Sequence, residues 1–205
     1  MARATPSTAS DSPRDAVALL KQDHRTVEAL FDEFEKAEEV EQSLLAERIC
    51  NMLTVHAQIE EEILYPAAKE ALEYEKTAEL VNEAEVEHTS AKELIAKIEG
   101  MTPEEEIFKA TMKVLGEYVK HHVNEEENQL FPALKKAELD LKEMGAQLAE
   151  RKLVLMEEMG IEAEEPPMPS RKKAMTRSAS AGKARQARAG SRSKSARSAG
   201  RAARH

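Results

Sequence analysis

Two stretches of the chain carry the same pattern, HAQIEEEILYP at residues 56–66 and HVNEEENQLFP at residues 122–132. Each reads as a histidine, three further residues, two glutamates, two residues, and then a leucine, an aromatic residue and a proline. When residues 56–71 are aligned with residues 122–137, eight of the sixteen positions are identical. The repeat predicts two similar halves, each of them a pair of helices.

The composition favours a helical protein. Ala, Leu, Glu and Lys dominate the 205 residues, aromatic residues make up 3%, and only seven residues are glycine. No apolar run approaches the roughly 18 residues of a membrane-spanning helix, and the N-terminus lacks the apolar segment of a secretory signal. The single cysteine, Cys50, excludes an internal disulfide and fits a reducing compartment. We therefore expect a soluble cytoplasmic protein with no membrane partner.

Apolar residues recur at three- and four-residue spacing along most of the chain, which is typical of amphipathic helices. Four long helices with short connections predict an all-α protein, an antiparallel up-down four-helix bundle over residues 13–160 with a short extra C-terminal helix. Pro66 and Pro132 are expected to kink or end the second and fourth helices. The expected segments run from a cap at Ser12 to about Phe34, from about 42 to 72, from about 76 to 99, from a cap at Thr102 to about 137, and from about 138 to 159, before Gly160.

Charge divides the chain unequally. Residues 170–205 hold twelve of the 30 Lys and Arg residues and no Asp or Glu, so the remainder carries 18 basic and 39 acidic residues, a net charge of −21. Residues 1–12 and the linker and tail at 161–205 are too poor in hydrophobic residues to form a core and are expected to be disordered. The tail has no aromatic residue for base stacking. It predicts weak, non-specific nucleic acid binding through residues 170–205 by phosphate attraction, with docking onto the acidic bundle or mere solubilisation as alternatives.

One histidine lies within the apolar stripe of each long helix, and each is therefore expected to point toward the core. Glu60 and Glu126 follow two of them by four residues, and residues at this spacing share a helix face. A buried, unpaired carboxylate is unfavourable by several kcal/mol, and a metal ion neutralises it. A lone core histidine is more often simply hydrogen-bonded, but this repeated set favours a metal site. The histidines are His24, His56, His88 and His122.

Four imidazoles and two carboxylates exceed the four ligands of a tetrahedral zinc ion, and they suit two ions that share carboxylates. Helix bundles build di-iron sites from inward-facing His and Glu side chains. The neighbouring acids are interpreted as solvated helix surface, and His121 as exposed. These acids are Glu61, Glu62, Glu125 and Glu127.

The series DH at residues 23–24, HAQIEEEILYP, EH at residues 87–88 and HVNEEENQLFP resembles the hemerythrin HHE cation-binding domain family over about residues 14–137. The resemblance implies a four-helix bundle around a non-haem centre of two iron ions. It further implies six iron ligands, with the two glutamates bridging: His24, His56, Glu60, His88, His122 and Glu126.

The sequence departs from the oxygen-carrying members of that family. Their third helix has two histidines four residues apart, whereas Ala84 and Lys92 flank His88 here. Glu85, one turn before His88, is a candidate to complete the metal shell. Tyr118, one turn before His122, is interpreted as a core tyrosine with a hydrogen-bonded hydroxyl, with an approach to the irons as the alternative.

Three functions follow from this set of features. The first is a di-iron protein that binds or senses O₂, NO, peroxide or iron, with a small diatomic or peroxide ligand at the metal site. The second is a di-iron stress-defence enzyme that consumes peroxide or NO. The third is a nucleic-acid-associated protein that acts through its basic tail. The sequence does not choose between binding and turnover, because both use open coordination positions.

Overall fold

The computed structural model describes residues 15–71, 75–137 and 139–161, and most of these residues lie in helices, with no strand among them. The predicted all-α fold class is thereby confirmed. Of the segments expected to be disordered, residues 1–12 and 161–205, all but Ile161 lie outside the described residues, and the N–H of Ile161 donates to Met156 O at 2.8 Å. The helices are α1 (Ala16–Phe34), α2 (Glu39–Ile59), α3 (Tyr65–Ala71), α4 (Glu75–Glu99), α5 (Glu106–Glu125), α6 (Phe131–Lys136) and α7 (Leu141–Glu158).

The bundle consists of two helix pairs and a fifth helix. Helices α1 and α2 pack against each other, as do α4 and α5, while α7 lies against α1 and α2. A π-helical turn, Glu60–Leu64, joins α2 to α3, and a second one, Glu126–Leu130, joins α5 to α6. The two repeated sequence stretches therefore have the same local structure.

The two prolines of the repeat do not end their helices. Each follows a π turn, in which Tyr65 N–H donates to Glu60 O and Phe131 N–H donates to Glu126 O, across five residues. Proline has no N–H, and its ring clashes with the carbonyl group four residues earlier. The wider turn accommodates both effects, so the helix continues. Because each π turn begins at an inward glutamate, the disturbance also sets the position of that side chain.

Two predicted helix starts are wrong. The N-cap of α1 is Asp15, whose side chain accepts from Ala18 N–H at 2.8 Å, rather than Ser12. Helix α5 begins at Glu106 and not after Thr102, because Thr102 N–H donates to Glu105 Oε1 at 2.9 Å and holds residues 102–105 in a turn. The predicted stop after α7 is confirmed, since Gly160 follows the helix with a φ of 67°.

The core consists of two apolar clusters, one on each side of the layer that contains the histidines. On α1, Leu20 belongs to one cluster and Val27 to the other, and His24 lies between them. Helix α7 contributes to the first cluster through Leu148, which is fully buried. The histidine layer is thereby enclosed by apolar packing above and below. Within the described residues, no helix is long and apolar enough to cross a membrane.

Candidate metal centre

Two carboxylates lie in the middle of the bundle. Glu60 and Glu126 have relative exposures of 0% and 2%. Three of their four oxygens, Glu60 Oε1 and Oε2 and Glu126 Oε2, have no hydrogen-bond partner among the described residues. Because an unpaired buried carboxylate is unfavourable by several kcal/mol, these oxygens require a positive partner. They fit the metal ions that the donor set predicts.

The first pair of histidines directs its Nε2 atoms at these oxygens. His24 Nε2 and His56 Nε2 lie 3.2 Å apart. His24 Nε2 is 3.3 Å from Glu126 Oε2, and His56 Nε2 is 3.3 Å from Glu60 Oε2. The ligand atoms of these four buried side chains lie within 4.8 Å of one another, close enough to hold one ion.

The second pair repeats the arrangement on the other side of the same carboxylates. His88 Nε2 and His122 Nε2 also lie 3.2 Å apart. They lie 3.5 Å from Glu60 Oε2 and 3.6 Å from Glu126 Oε2, respectively. His88, His122 and Glu60 form a second cluster of donors within 4.8 Å. The structure therefore brings all six predicted ligand residues together, with Glu60 common to both clusters.

On its outer side, the Nδ1 atom of each histidine faces another carboxylate. A carboxylate at Nδ1 favours the tautomer with the proton on that nitrogen, which leaves the Nε2 lone pair directed inward. The contact of His56 is longer than a hydrogen bond, and the other three are of hydrogen-bond length. The four contacts are His24 to Glu127 at 3.1 Å, His56 to Asp23 at 3.6 Å, His88 to Glu61 at 3.0 Å and His122 to Glu87 at 2.9 Å.

These contacts correct the interpretation of two acids. Glu61 and Glu127 are not solvated helix surface, because each orients a histidine of the opposite half of the bundle. Asp23 and Glu87 were missed as functional residues, although each directly precedes a histidine in the DH and EH pairs. Because each acid is one residue before the histidine of its own helix, its side chain points to the histidine of the neighbouring helix: Asp23 to His56 and Glu87 to His122.

A basic side chain faces each of the four outer carboxylates. Three are lysines, and Lys152 comes from α7. The fourth is His121, which is exposed as predicted. The distances are 2.6 Å from Lys21 Nζ to Glu127, 2.6 Å from Lys92 Nζ to Glu61, 2.5 Å from Lys152 Nζ to Asp23 and 3.5 Å from His121 Nε2 to Glu87.

The family model of the hemerythrin HHE cation-binding domain matches residues 15–134, the span that contains all six clustered side chains. The chain belongs to this family. The expected resemblance is confirmed, and the centre is that of a hemerythrin-type metal-binding protein.

Two similar proteins place this hemerythrin-type chain among its relatives. A solved hemerythrin HHE cation-binding domain-containing protein from Mycobacterium kansasii has the same fold, with a TM-score of 0.61 and 21% identity, over 70% of this chain and 88% of that chain. A relative from Nostoc sp., named DNA nickase, is 30% identical over 118 residues, 57% of this chain and 32% of that protein. The chain thus matches about a third of the length of that relative.

In the hemerythrin-type centre, the pKa values of the two central carboxylates are shifted in opposite directions. Burial and the neighbouring Glu126 raise the pKa of Glu60 well above its usual range. Burial also acts to raise the pKa of Glu126, but His122 and His24 outweigh it and lower that pKa to about 2. Burial and His122 lower the pKa of His88 to about 4. Without metal, the surroundings therefore favour the protonated form of Glu60 and the neutral imidazole of His88, and a metal ion competes with the proton for Glu60.

Two other candidate residues lie elsewhere than expected. Glu85 pairs with Lys69 at 2.7 Å and does not join either donor cluster. Tyr118 is 50% exposed, so the interpretation as a core tyrosine is wrong.

Tyr65, which sequence reasoning did not single out, is fully buried, and its hydroxyl lies 3.0 Å from Glu126 Oε1 and 3.3 Å from His88 Nε2. The sequence feature that could have drawn attention to Tyr65 is its alignment with Phe131 in the repeat.

An apolar cavity of about 40 Å³ opens onto the histidine layer, and Tyr118 forms part of its wall. A single water needs roughly 10–15 Å³ of such space, so the cavity has room for a diatomic molecule or a peroxide. Its other apolar walls are Val27, Leu53, Ala57, Ala91, Val119 and Val123.

Proposed function

We propose that the protein holds a non-haem centre of two iron ions and binds or senses a small ligand there, such as O₂, NO or peroxide. The ligands would be His24, His56, Glu60, His88, His122 and Glu126, with the two glutamates shared between the ions. The single observation that carries the proposal is the pair of buried carboxylates that face four imidazole nitrogens and have three of their four oxygens without a hydrogen-bond partner among the described residues.

The donor chemistry supports iron. Imidazole together with carboxylate suits iron, whereas no cysteine lies among the clustered donors. Bound iron would supply redox chemistry and open coordination positions for a small ligand. The chain itself contributes the orientation of the imidazoles through Asp23, Glu61, Glu87 and Glu127. The size of the cavity, about 40 Å³, supports a small ligand next to the four histidines.

Metal analysis of variants tests the ligand set. His56→Ala and His122→Ala should each lower the iron content and the melting temperature together, because metal binding and folding are coupled in such sites. His121→Ala is the matched control, since it removes an adjacent histidine that is 64% exposed, and it should leave both quantities unchanged. Equal iron loss in all three variants, or zinc alone after growth with ample iron, would contradict the proposal.

Reactivity separates binding from the enzymatic alternative, a di-iron protein that consumes peroxide or NO. The protein is reduced without air and then exposed to O₂, NO or peroxide while visible absorption is recorded. A stable adduct that reverses when the ligand is removed supports binding or sensing. A rapid return to the oxidised spectrum with loss of the added ligand supports turnover instead.

A second candidate function is non-specific association with DNA through residues 170–205. Two observations favour it: the twelve positive charges of this segment and the name of the Nostoc relative, DNA nickase. Phosphate neutralisation predicts binding that weakens steeply with salt, with a log–log slope of magnitude at most about 11 for twelve contacts. Docking of the tail onto the acidic bundle would reduce that slope.

Gel-shift titration of duplex DNA at several salt concentrations tests this second candidate. Truncation after Pro169 should abolish the shift and leave the iron spectrum unchanged. A full-length protein that does not shift DNA at low salt would rule the candidate out. A truncated protein that still binds would place the DNA-binding surface in the bundle.

A further inference from the structure

Among the residues that the structure describes, Tyr65 carries the one phenol that lies inside the centre. Its side chain is fully buried, and its hydroxyl donates to Glu126 Oε1 at 3.0 Å. The hydroxyl oxygen of Tyr65 also lies 3.3 Å from His88 Nε2. That nitrogen in turn faces Glu60 and His122. The phenol oxygen is therefore a neighbour of atoms in the donor set rather than of the surrounding apolar core.

The equivalent position in the other half of the repeat is Phe131. Its ring stacks on His24 with the centroids 5.8 Å apart and the planes 7° from parallel. The ring of Tyr65 lies 5.4 Å from that of His88. Each half thus places one aromatic ring beside one histidine. The two aromatic side chains, Tyr65 and Phe131, differ by a single oxygen atom.

That oxygen lies on the side of the centre with fewer donors. The cluster around His24 and His56 has four ligand atoms, because it includes both glutamates, whereas the cluster around His88 and His122 has only Glu60 as a third member. Tyrosine oxygen is an established protein ligand of iron in haem enzymes. The phenol oxygen lies within hydrogen-bond distance of both His88 Nε2 and Glu126 Oε1, so it is next to donor atoms of two proposed ligands at once.

We infer that the Tyr65 phenol oxygen is a ligand of the metal ion held by His88 and His122, and that it makes the two ions inequivalent. This inference rests on the proposed di-iron function. Coordination as a phenolate releases the hydroxyl proton, which leaves for solvent as the metal ion takes its place. No electron is transferred, and the carbon–oxygen bond remains intact.

Visible absorption and resonance Raman spectra of the iron-loaded, oxidised protein test the inference. A phenolate on ferric iron gives a charge-transfer band in the visible range, and excitation into that band enhances the vibrations of the tyrosine ring. The full-length protein should show both, and Tyr65→Phe should lose both while it still contains iron. Tyr118→Phe, which removes the tyrosine of the cavity wall, should leave the spectra unchanged. Phe131→Tyr should strengthen the band by supplying the matching oxygen beside His24.

The outcomes separate this inference from the function on which it rests. Iron-loaded protein without the band, or a band that persists in Tyr65→Phe, would overturn the ligand role of Tyr65 and leave the di-iron proposal standing. Protein that takes up no iron would overturn both. If Tyr65→Phe does not retain iron, Phe131→Tyr decides: a stronger band supports the inference, and an unchanged band overturns it.

Discussion

The two halves of the bundle share the same inner arrangement. In each half, the π turn of the repeat contributes one glutamate to the middle of the centre, Glu60 or Glu126. The next glutamate, Glu61 or Glu127, faces a histidine of the opposite half. Each copy of the sequence pattern therefore provides one donor in the middle of the centre and orients one histidine of the other half. This explains why the charged stretch occurs twice.

The halves differ in what surrounds this inner arrangement. Asp23, behind His56, is held by Lys152 of α7, whereas Glu87, behind His122, faces the exposed His121. Helix α7 follows the span that the family model matches, residues 15–134. The repeat therefore determines where the donors lie, while the residues around the donors distinguish the two proposed metal positions.

The largest effect is expected where the halves meet. Glu60→Gln should lose both iron ions, because Glu60 is the one residue common to both donor clusters and an amide lacks the negative charge. The metal-free variant should still fold, since burial and the neighbouring Glu126 raise the pKa of Glu60 well above its usual range, so the neutral amide replaces a carboxyl whose neutral form the site already favours. Iron analysis and circular dichroism measure the two quantities. Glu62→Gln, at an exposed position paired with Arg151, is the control, and unchanged iron in Glu60→Gln would contradict a shared ligand.

Acid should remove the two ions in sequence. Burial acts to lower the pKa of His122, but Glu126 and Glu87 raise it above its ordinary value, whereas burial lowers the pKa of His56 despite Asp23. As the pH falls, a proton therefore competes with the metal for His122 before it competes for His56. Iron release to a chelator, followed against pH, should show two steps, with the ion at His88 and His122 leaving first. Release in a single step would indicate that the halves are equivalent.

Two of the outer carboxylates, Asp23 and Glu87, should each act on the ion of its own half. Asp23→Asn and Glu87→Gln are each expected to weaken one ion by about 10–100-fold, the usual effect of removing an outer partner of a ligating histidine. Competition with a chelator of known affinity should then become biphasic, with one ion weakened and the other unchanged. Monophasic weakening of both ions by either variant would argue against separate positions.

The smallest effect concerns the cations behind these carboxylates. Lys152→Met should lower the free energy of unfolding of the metal-free protein by about 1–3 kcal/mol, because it leaves the buried Asp23 without its cation. Lys92→Met is the matched variant, and it should change stability by about 0–1 kcal/mol, since Lys92 and Glu61 are 45% and 31% exposed. Denaturant unfolding monitored by circular dichroism provides both values. Equal losses would mean that α7 contributes nothing beyond a surface ion pair.

The sequence was sufficient to predict the fold class and the inward direction of the six donors. Both depend on helical periodicity, and His56 and Glu60 lie on one face whatever the details of the neighbouring turn. The helix starts were less accurate, since a cap depends on one side-chain hydrogen bond. Asp15, for example, is as good a candidate by residue type as Ser12.

The carboxylates that face the outer nitrogens of the histidines could not be predicted from helical periodicity alone. Glu61 and Glu127 read as surface on a regular α-helix, but the π turn rotates this part of the chain and directs them at histidines across the bundle. Lys152 is 129 residues from Asp23, and its contact depends on how α7 packs. Tyr65 aligns with Phe131 in the repeat, and only the packed structure places its oxygen beside Glu126 and His88.

The most direct test of the central claim is anomalous diffraction at the iron absorption edge from crystals of the iron-loaded protein. The account predicts two anomalous peaks within the bundle, one beside His24 and His56 and the other beside His88 and His122, with Glu60 and Glu126 between them. A single peak, or peaks only at the surface cluster of Glu87, His121 and Glu125, would contradict it.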